Sequence, residues 1–472
     1  MDVQELFELV INKAKSFGLQ PKNEGGTIID LKGNAIIRKN ILDLSFSEGT
    51  AYFGIISPEE ETSGAYSDYS FVVFPDQDLK ACVVSLGIGS LGFKNDYELA
   101  ALPGVRRSFL QLQSYNDKAP SFFKTSFLDI ESTFSILLKE VKEKCPQLSK
   151  VIDSYKTVLP AAAIVDFETL GEDNALDIIY AWLGTYANLR EWGTIAQRNE
   201  INEVLEHIPS VTPIDEQTAI EHLVENRKYV VLQGAPGTGK TWTALKIADK
   251  YDKTFFEQFH AETTYSDFVY GIEPNTNNVG TQLQFRDKKG ILCEALEYAV
   301  DHQNEKVLLI IDEINRANLS NVLGPVFYLF EYQTGKRKVT IKIGGRDYTC
   351  IPDNLYVIAT MNTADRSLAV VDFALRRRFA WYTLRPHVIA GRDFDKQMFN
   401  AFANIFFRYA TDEELNLQPG QAYFTDKQNR QDRMVYELMP LIKEYLAEGY
   451  LLKAKDAFYD LFLKETGKLM YE

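Results

Sequence analysis

Residues 234–241 read GAPGTGKT, a full match to the pattern G-x-x-x-x-G-K-[ST]. Gly234, Gly237 and Gly239 permit a tight turn in which consecutive backbone N–H groups face one centre, and Ala235, Pro236 and Thr238 complete the loop. A concavity of that kind binds phosphate, and a helix starting just after it directs its positive end at the same anion. Lys240 is then placed to reach the terminal phosphates of a nucleotide. Thr241 supplies a hydroxyl for Mg²⁺, a hard cation that takes oxygen ligands and keeps several waters. The strand-like run before the loop and the helical pattern after it disfavour a chance match by a glycine-rich turn.

Residues 306–315 read KVLLIIDEIN, an apolar strand ending in two adjacent acids. Asp312 is expected to hold Mg²⁺, through water, and Glu313 to orient and polarise an attacking water, because phosphoryl transfer depends on positioning and charge balance. The pair alone decides little, since acids are common after a strand where a helix dipole begins. Its place about 70 residues beyond the phosphate loop favours the catalytic reading.

Residues 355–378, LYVIATMNTADRSLAVVDFALRRR, form another apolar strand whose end presents Asn362, Thr363 and Asp365. The Asn362 carboxamide both donates and accepts, so it can read a terminal phosphate and hold a nucleophile. A helix over 367–375 is expected to deliver Arg376, Arg377 and Arg378. One of the three suits an arginine finger that neutralises transition-state charge across a subunit boundary. The competing reading makes them C-terminal cations favoured by the helix dipole, and the spacing does not choose among them.

These groups need a scaffold that brings distant strand ends together. Strand-like runs at 228–233, 254–259, 306–312, 355–361 and 379–384 are separated by helical stretches, the pattern of a parallel sheet covered on both faces. Hairpins are expected at 279–289 and 337–351, and residues 394–472 are helical by apolar spacing. The first 210 residues differ in character. A helix at 2–16 is followed by short strands over 27–91, then by helical spacing at 131–145 and 173–204, with a linker at 209–213. The expected fold is therefore α/β, a phosphate-loop parallel sheet followed by a helical region, preceded by an α+β domain (1–210).

Composition narrows the class. With 45% apolar and 25% charged positions the 472-residue chain reads as globular, and at net charge −15 it is a poor candidate for coating nucleic acid by bulk attraction. Any DNA contact must be local. The four cysteines are too scattered for a disulfide framework, the first residues lack a basic secretory leader, and no apolar run reaches the length of a membrane span. A cytoplasmic protein without membrane contact is expected.

DEINRANLS at 312–320, MNTADRSLAVVDFALRRRF at 361–379 and FHAETTYSDFVYGIEP at 259–274 resemble the AAA+ motor subunit of McrBC-type modification-dependent restriction systems, McrB. The resemblance runs from about residue 230 to the C-terminus. PGQAYF at 419–424 is similar to the family's lid motif, with Gln421 and Ala422 where histidine and serine are usual. The resemblance implies an AAA+ core (211–386) with a helical lid (387–472), assembled into a hexameric NTPase ring with nucleotide between neighbours, GTP as the usual fuel and ATP as the alternative. It further implies a separate McrC-like PD-(D/E)xK nuclease partner and a role in antiphage defence. No acid-x-Lys triplet follows either PD pair of this chain at a workable distance, in keeping with that division.

In that family the amino-terminal region reads modified DNA, often by base flipping. Tyr66, Tyr69, Phe71 and Phe74 are candidates to stack a base, and Arg106, Arg107 and Lys124 to touch phosphates. Aromatics at such spacing are more often strand packing, and scattered cations a solvated face. A MoxR-like AAA+ ATPase that remodels a protein partner is the alternative reading, and the acidic first half favours it slightly.

Overall fold

The computed structural model describes the chain except for residues 22–33, 57–69, 88–102, 113–117, 124–130, 156–158, 191, 193–194, 207–215, 276–284, 332–338, 365–372 and 472. The chain divides into two compact units, Met1–Thr212 and Pro213–Glu472.

The first unit opens with a helix, Val3–Ser16, started by a reciprocal cap in which Asp2 accepts from Glu5 N–H and Glu5 accepts from Asp2 N–H, both at 2.8 Å. Its strands are β1 (Gln20–Pro21), β2 (Asn34–Asn40), β3 (Tyr52–Ile56), β4 (Ser70–Pro75), β5 (Ala81–Gly87), β6 (Ser121–Phe123) and β7 (Ala161–Asp166). They form one sheet in the order β1-β2-β3-β4-β5-β7-β6, antiparallel except for the β1–β2 pair. Every residue of β4 and β5 is buried. Residues on one face, among them Phe71, Val73 and Val84, pack with the helices Val3–Ser16, Pro103–Leu112 and Glu172–Leu189. Val72, Phe74 and Val83 on the other face pack with the helices Glu131–Lys144 and Ser149–Tyr155. Helices on both faces explain why these strands read as continuous apolar runs rather than alternating ones.

Two features bear on the expectations. Residues 161–166, AAAIVD, form β7 between β5 and β6. Alanine has low strand propensity, so this strand owes its state to burial and pairing rather than to local preference. Phe71 and Phe74 are 0% exposed, so neither ring is available to stack a base. Tyr66, Tyr69 and Lys124 lie outside the described residues.

In the second unit a helix, Glu216–Arg227, precedes β8 (Tyr229–Gly234), and a helix, Lys240–Ala248, leads to β9 (Lys253–Gln258). A hairpin follows, of β10 (Tyr270–Pro274) and β11 (Phe285–Lys289). It begins earlier than the 279–289 expected, because Tyr270 pairs with Lys289. The helix Ile291–Asp301 then leads to β12 (Val307–Asp312), the small hairpin β13 (Ile341–Ile343) and β14 (Arg346–Tyr348), β15 (Leu355–Asn362) and β16 (Ala380–Thr383). The main sheet has five parallel strands in the order β16-β8-β15-β12-β9. One face packs with Ile220, Val224, Ala244 and Ile247 of two helices, the other with Leu292, Leu296 and Ala299 of a third. This is the α/β arrangement the alternating pattern predicts.

Beyond the sheet, helices Lys396–Tyr409, Met439–Ala447 and Lys455–Thr466 enclose a separate aromatic core. Phe402, fully buried, has the rings of Phe424, Phe458 and Phe462 at 5.5, 5.6 and 5.9 Å. Among the described residues no helix is long and apolar enough to cross a membrane. All four cysteines are free. Burial pushes the Cys145 and Cys293 thiols up to about 11, so both behave as core residues and not as nucleophiles at neutral pH.

Phe402→Ala is expected to destabilise the helical subdomain by about 3–5 kcal/mol, as other buried Phe→Ala changes do. Denaturant unfolding followed by probes in each unit checks this. A loss below about 1 kcal/mol would contradict the assignment of this ring as the centre of that core.

Candidate functional site at three strand ends

Parallel pairing places the ends of β8, β15 and β12 side by side, with Asn362 opposite Gly234 and Asp312 opposite Gln258. The phosphate-loop sequence leaves β8 there. Gly237 and Gly239 take φ of 77° and 85°, left-handed values that an L side chain resists, which accounts for glycine at both points. The helix begins at Lys240 with Gly239 as its cap, so the N–H groups of its first turn open onto the loop. Lys240 is 8% exposed and its ammonium donates back to Gly234 O (3.0 Å) and Ala235 O (2.9 Å).

Asp312 is the hub. It is 5% exposed, and its Oδ1 accepts from Thr241 Oγ1 and Thr360 Oγ1, both at 2.7 Å, while Oδ2 accepts from Gln258 Nε2 at 3.3 Å. A buried carboxylate is tolerable when donors surround its charged form. Thr360 also accepts from Glu313 N–H at 3.0 Å, so one hydroxyl fixes both acids of the strand-end pair. Glu313 has φ 54°, a strained value for a non-glycine residue that turns its side chain out of the strand direction. Its carboxylate lies 3.6 Å from Arg316 Nε. The Thr241 hydroxyl and the Asp312 carboxylate are adjacent hard oxygens, and this donor set fits Mg²⁺.

Asn362 caps the third strand. Its Oδ1 accepts from Ala364 N–H at 3.3 Å and its backbone O accepts from Asn315 Nδ2 at 3.3 Å. Thr363 N–H reaches Gly234 O at 3.1 Å, and the Thr363 hydroxyl reaches Asn416 O of the helical subdomain at 2.8 Å. Asp365 lies outside the described residues. The three arginines occupy the last turn of a helix, Phe373–Arg378, and do not follow it. Arg378, 7% exposed, is ion-paired with Glu331 and lies 4.1 Å from the centre of the Phe327 ring. Arg377 is exposed and also pairs with Glu331, at 3.1 Å. Arg376 is exposed and lies over the Trp381 ring at 5.3 Å.

The structure thus gathers the loop Gly234, Ala235, Pro236, Gly237, Thr238, Gly239 with Lys240, Thr241, Asp312, Glu313 and Asn362 at one place. Sequence reasoning missed Thr360, Gln258 and Asn315. Thr360 had a signal, a lone hydroxyl in the otherwise apolar run VIAT at a fully buried position. Gln258 had none, because only strand register puts it beside Asp312.

Thr360→Val preserves shape and removes both hydrogen bonds at the hub. It is expected to destabilise the chain by about 1–3 kcal/mol, with Thr360→Ser close to wild type. Equilibrium unfolding of the two variants reads the difference, and equal stabilities would remove Thr360 from this role.

Comparison with known proteins follows the same geometry. Residues 229–379, from the start of β8 to the edge of β16, match the AAA domain of the dynein-related subfamily. The Type IV methyl-directed restriction enzyme EcoKMcrB subunit of Escherichia coli K12 is 39% identical over 183 residues, covering 36% of this chain and 39% of its own length. The Type II restriction enzyme BsuMI component YdiS of Bacillus subtilis 168 is 24% identical over 193 residues, 32% of this chain and 55% of its own. The chain thus spans about two fifths and about half of these relatives. A solved structure of a proposed ATPase from Cytophaga hutchinsonii covers 53% of this chain and 71% of its own at 18% identity, with a TM-score of 0.27, too low to carry an argument. Residues 229–379 thus match an AAA domain, a class of module that hydrolyses nucleoside triphosphates, and over about a third of its length the chain is similar to the McrB subunit of a restriction enzyme.

Proposed function

We propose that the chain is the motor of a McrBC-type restriction system, hydrolysing GTP in preference to ATP to move or rearrange DNA and to activate a separate McrC-like nuclease against foreign modified DNA. The observation that carries this reading is the convergence of Lys240, Thr241, Asp312, Glu313 and Asn362 at three adjacent strand ends. Similarity to two restriction-enzyme components, one of them methyl-directed, supports the client.

In this mechanism the loop N–H groups and Lys240 bind the phosphates, leaving the backbone carbonyls where the ammonium now rests. Thr241 and Asp312 would hold Mg²⁺, Asp312 through water, and the ion would supply charge neutralisation to the phosphates. Glu313 orients the attacking water, and Asn362 holds that water and the terminal phosphate together, with Asp365 a further catalytic candidate from the sequence. Arg376 and Arg377, being exposed, suit a finger inserted into a neighbouring copy of a ring. Arg378, buried against Phe327, braces the helix that presents them. The first 210 residues form the recognition domain for DNA, 211–386 the nucleotide core and 387–472 the lid.

Lys240→Ala is expected to abolish nucleotide binding or turnover, and Glu313→Gln to retain binding while lowering the hydrolysis rate about 100-fold or more. Steady-state phosphate release with GTP and with ATP measures both, and wild-type turnover by Lys240→Ala would refute the site.

Retention of the full chain on methylated duplex, falling as salt rises, is the expected behaviour of a DNA-directed motor. Failure to bind any nucleic acid at low salt would favour the MoxR-like remodeller.

A further inference from the structure

The phosphate loop is held from outside by a strap from the helical subdomain. Residues 419–424, PGQAYF, cross the loop and satisfy three consecutive loop carbonyls. Gly420 N–H donates to Pro236 O at 2.9 Å, Ala422 N–H to Gly237 O at 3.0 Å, and Gln421 Nε2 to Thr238 O at 2.8 Å. The opposite carboxamide orientation would set acceptor against acceptor, so the amide nitrogen is the atom facing Thr238. The approach is backbone on backbone, because a Cβ on Gly420 would lie 2.1 Å from Gly237 C and 2.2 Å from Thr238 N.

The consequence follows from peptide geometry. In a planar trans peptide the N–H points opposite to the C=O. Pinning the carbonyls of Pro236, Gly237 and Thr238 toward the strap therefore turns the N–H groups of Gly237, Thr238 and Gly239 away from it. Donors turned in this way form an anion-binding concavity. Only the Thr238 N–H has an internal partner in the loop, Ala235 O at 3.4 Å, a separation beyond an ordinary hydrogen bond. The strap is itself fixed to the helical subdomain. Arg433 Nη1 donates to Ala422 O at 3.1 Å, Asp395 N–H donates to Phe424 O at 2.8 Å, and the Phe424 ring packs 5.3 Å from Phe399.

We propose that Gln421 is a positioning residue for the phosphate loop, a side-chain latch by which the lid pre-aims the loop's N–H donors before nucleotide arrives. The proposal rests on the nucleotide-binding reading above and adds a lid residue that sets affinity without touching the ligand. Of the three strap bonds it is the one a side-chain change can remove.

The test uses the full chain. Gln421→Met keeps length and neutrality and removes the donor, so the dissociation constants of Mg·GTP and Mg·ATP should rise roughly fivefold, the effect of one net hydrogen bond. In the nucleotide-free chain, hydrogen exchange at the amides of residues 237–239 should accelerate while the thermal unfolding midpoint stays in place. Gln421→His, which restores an N–H donor, should return both readouts toward wild type. Gln421→Met with unchanged affinity and unchanged exchange overturns the latch, as does a loss that histidine fails to restore, since that loss would come from packing alone. A wild-type chain that binds neither nucleotide sinks the nucleotide reading, whereas accelerated exchange in Gln421→Met without nucleotide still supports the latch.

Discussion

The site depends on one buried carboxylate. Asp312 is accommodated at 5% exposure because Thr241, Thr360 and Gln258 aim donors at its two oxygens. Those donors come from the helix after β8, from β15 and from β9, so the charge and the strand order constrain each other. Shifting β15 by one residue against its neighbours would turn the Thr360 hydroxyl to the opposite face of the sheet and leave the acid short of a partner. The same hydroxyl holds Glu313 N–H, which ties the neighbouring acid's unusual backbone to the hub.

Around this hub the loop is constrained from two sides. Inside, Lys240 folds onto Gly234 O and Ala235 O, and Thr363 N–H shares Gly234 O. Outside, the strap covers the next three carbonyls. The helical subdomain thus reaches the phosphate loop by two backbone N–H groups, by the Gln421 side chain and by Asn416 O, which accepts from Thr363. A lid displacement would have to strain or break these bonds, which is a direct route for coupling nucleotide occupancy to lid position.

The first unit obeys a different constraint. Its sheet is covered on both faces, so the aromatics of β4 serve as core. The second unit uses aromatics in the same way, with Phe402 and its ring neighbours enclosing a core from whose subdomain the strap and Asn416 O reach the site.

Local chemistry made much of this chain readable in one dimension. The phosphate loop, the strand before it and the acids of DEIN announce themselves because backbone conformation, glycine demand and apolar runs are properties of contiguous residues. The parallel sheet followed from alternation of strand and helix patterns, and MNTADRS pointed to Asn362. What remained hidden was whatever depends on residues far apart in sequence. Burial made a strand of AAAIVD against alanine's preference, register placed Gln258 beside Asp312, and packing divided three adjacent arginines into one buried brace and two exposed cations. The strap across the phosphate loop belongs to the same class, since residues 183 apart meet there only after both subdomains have folded. Sequence carries short-range geometry, whereas pairing over long separations is settled by which buried charges and carbonyls find partners.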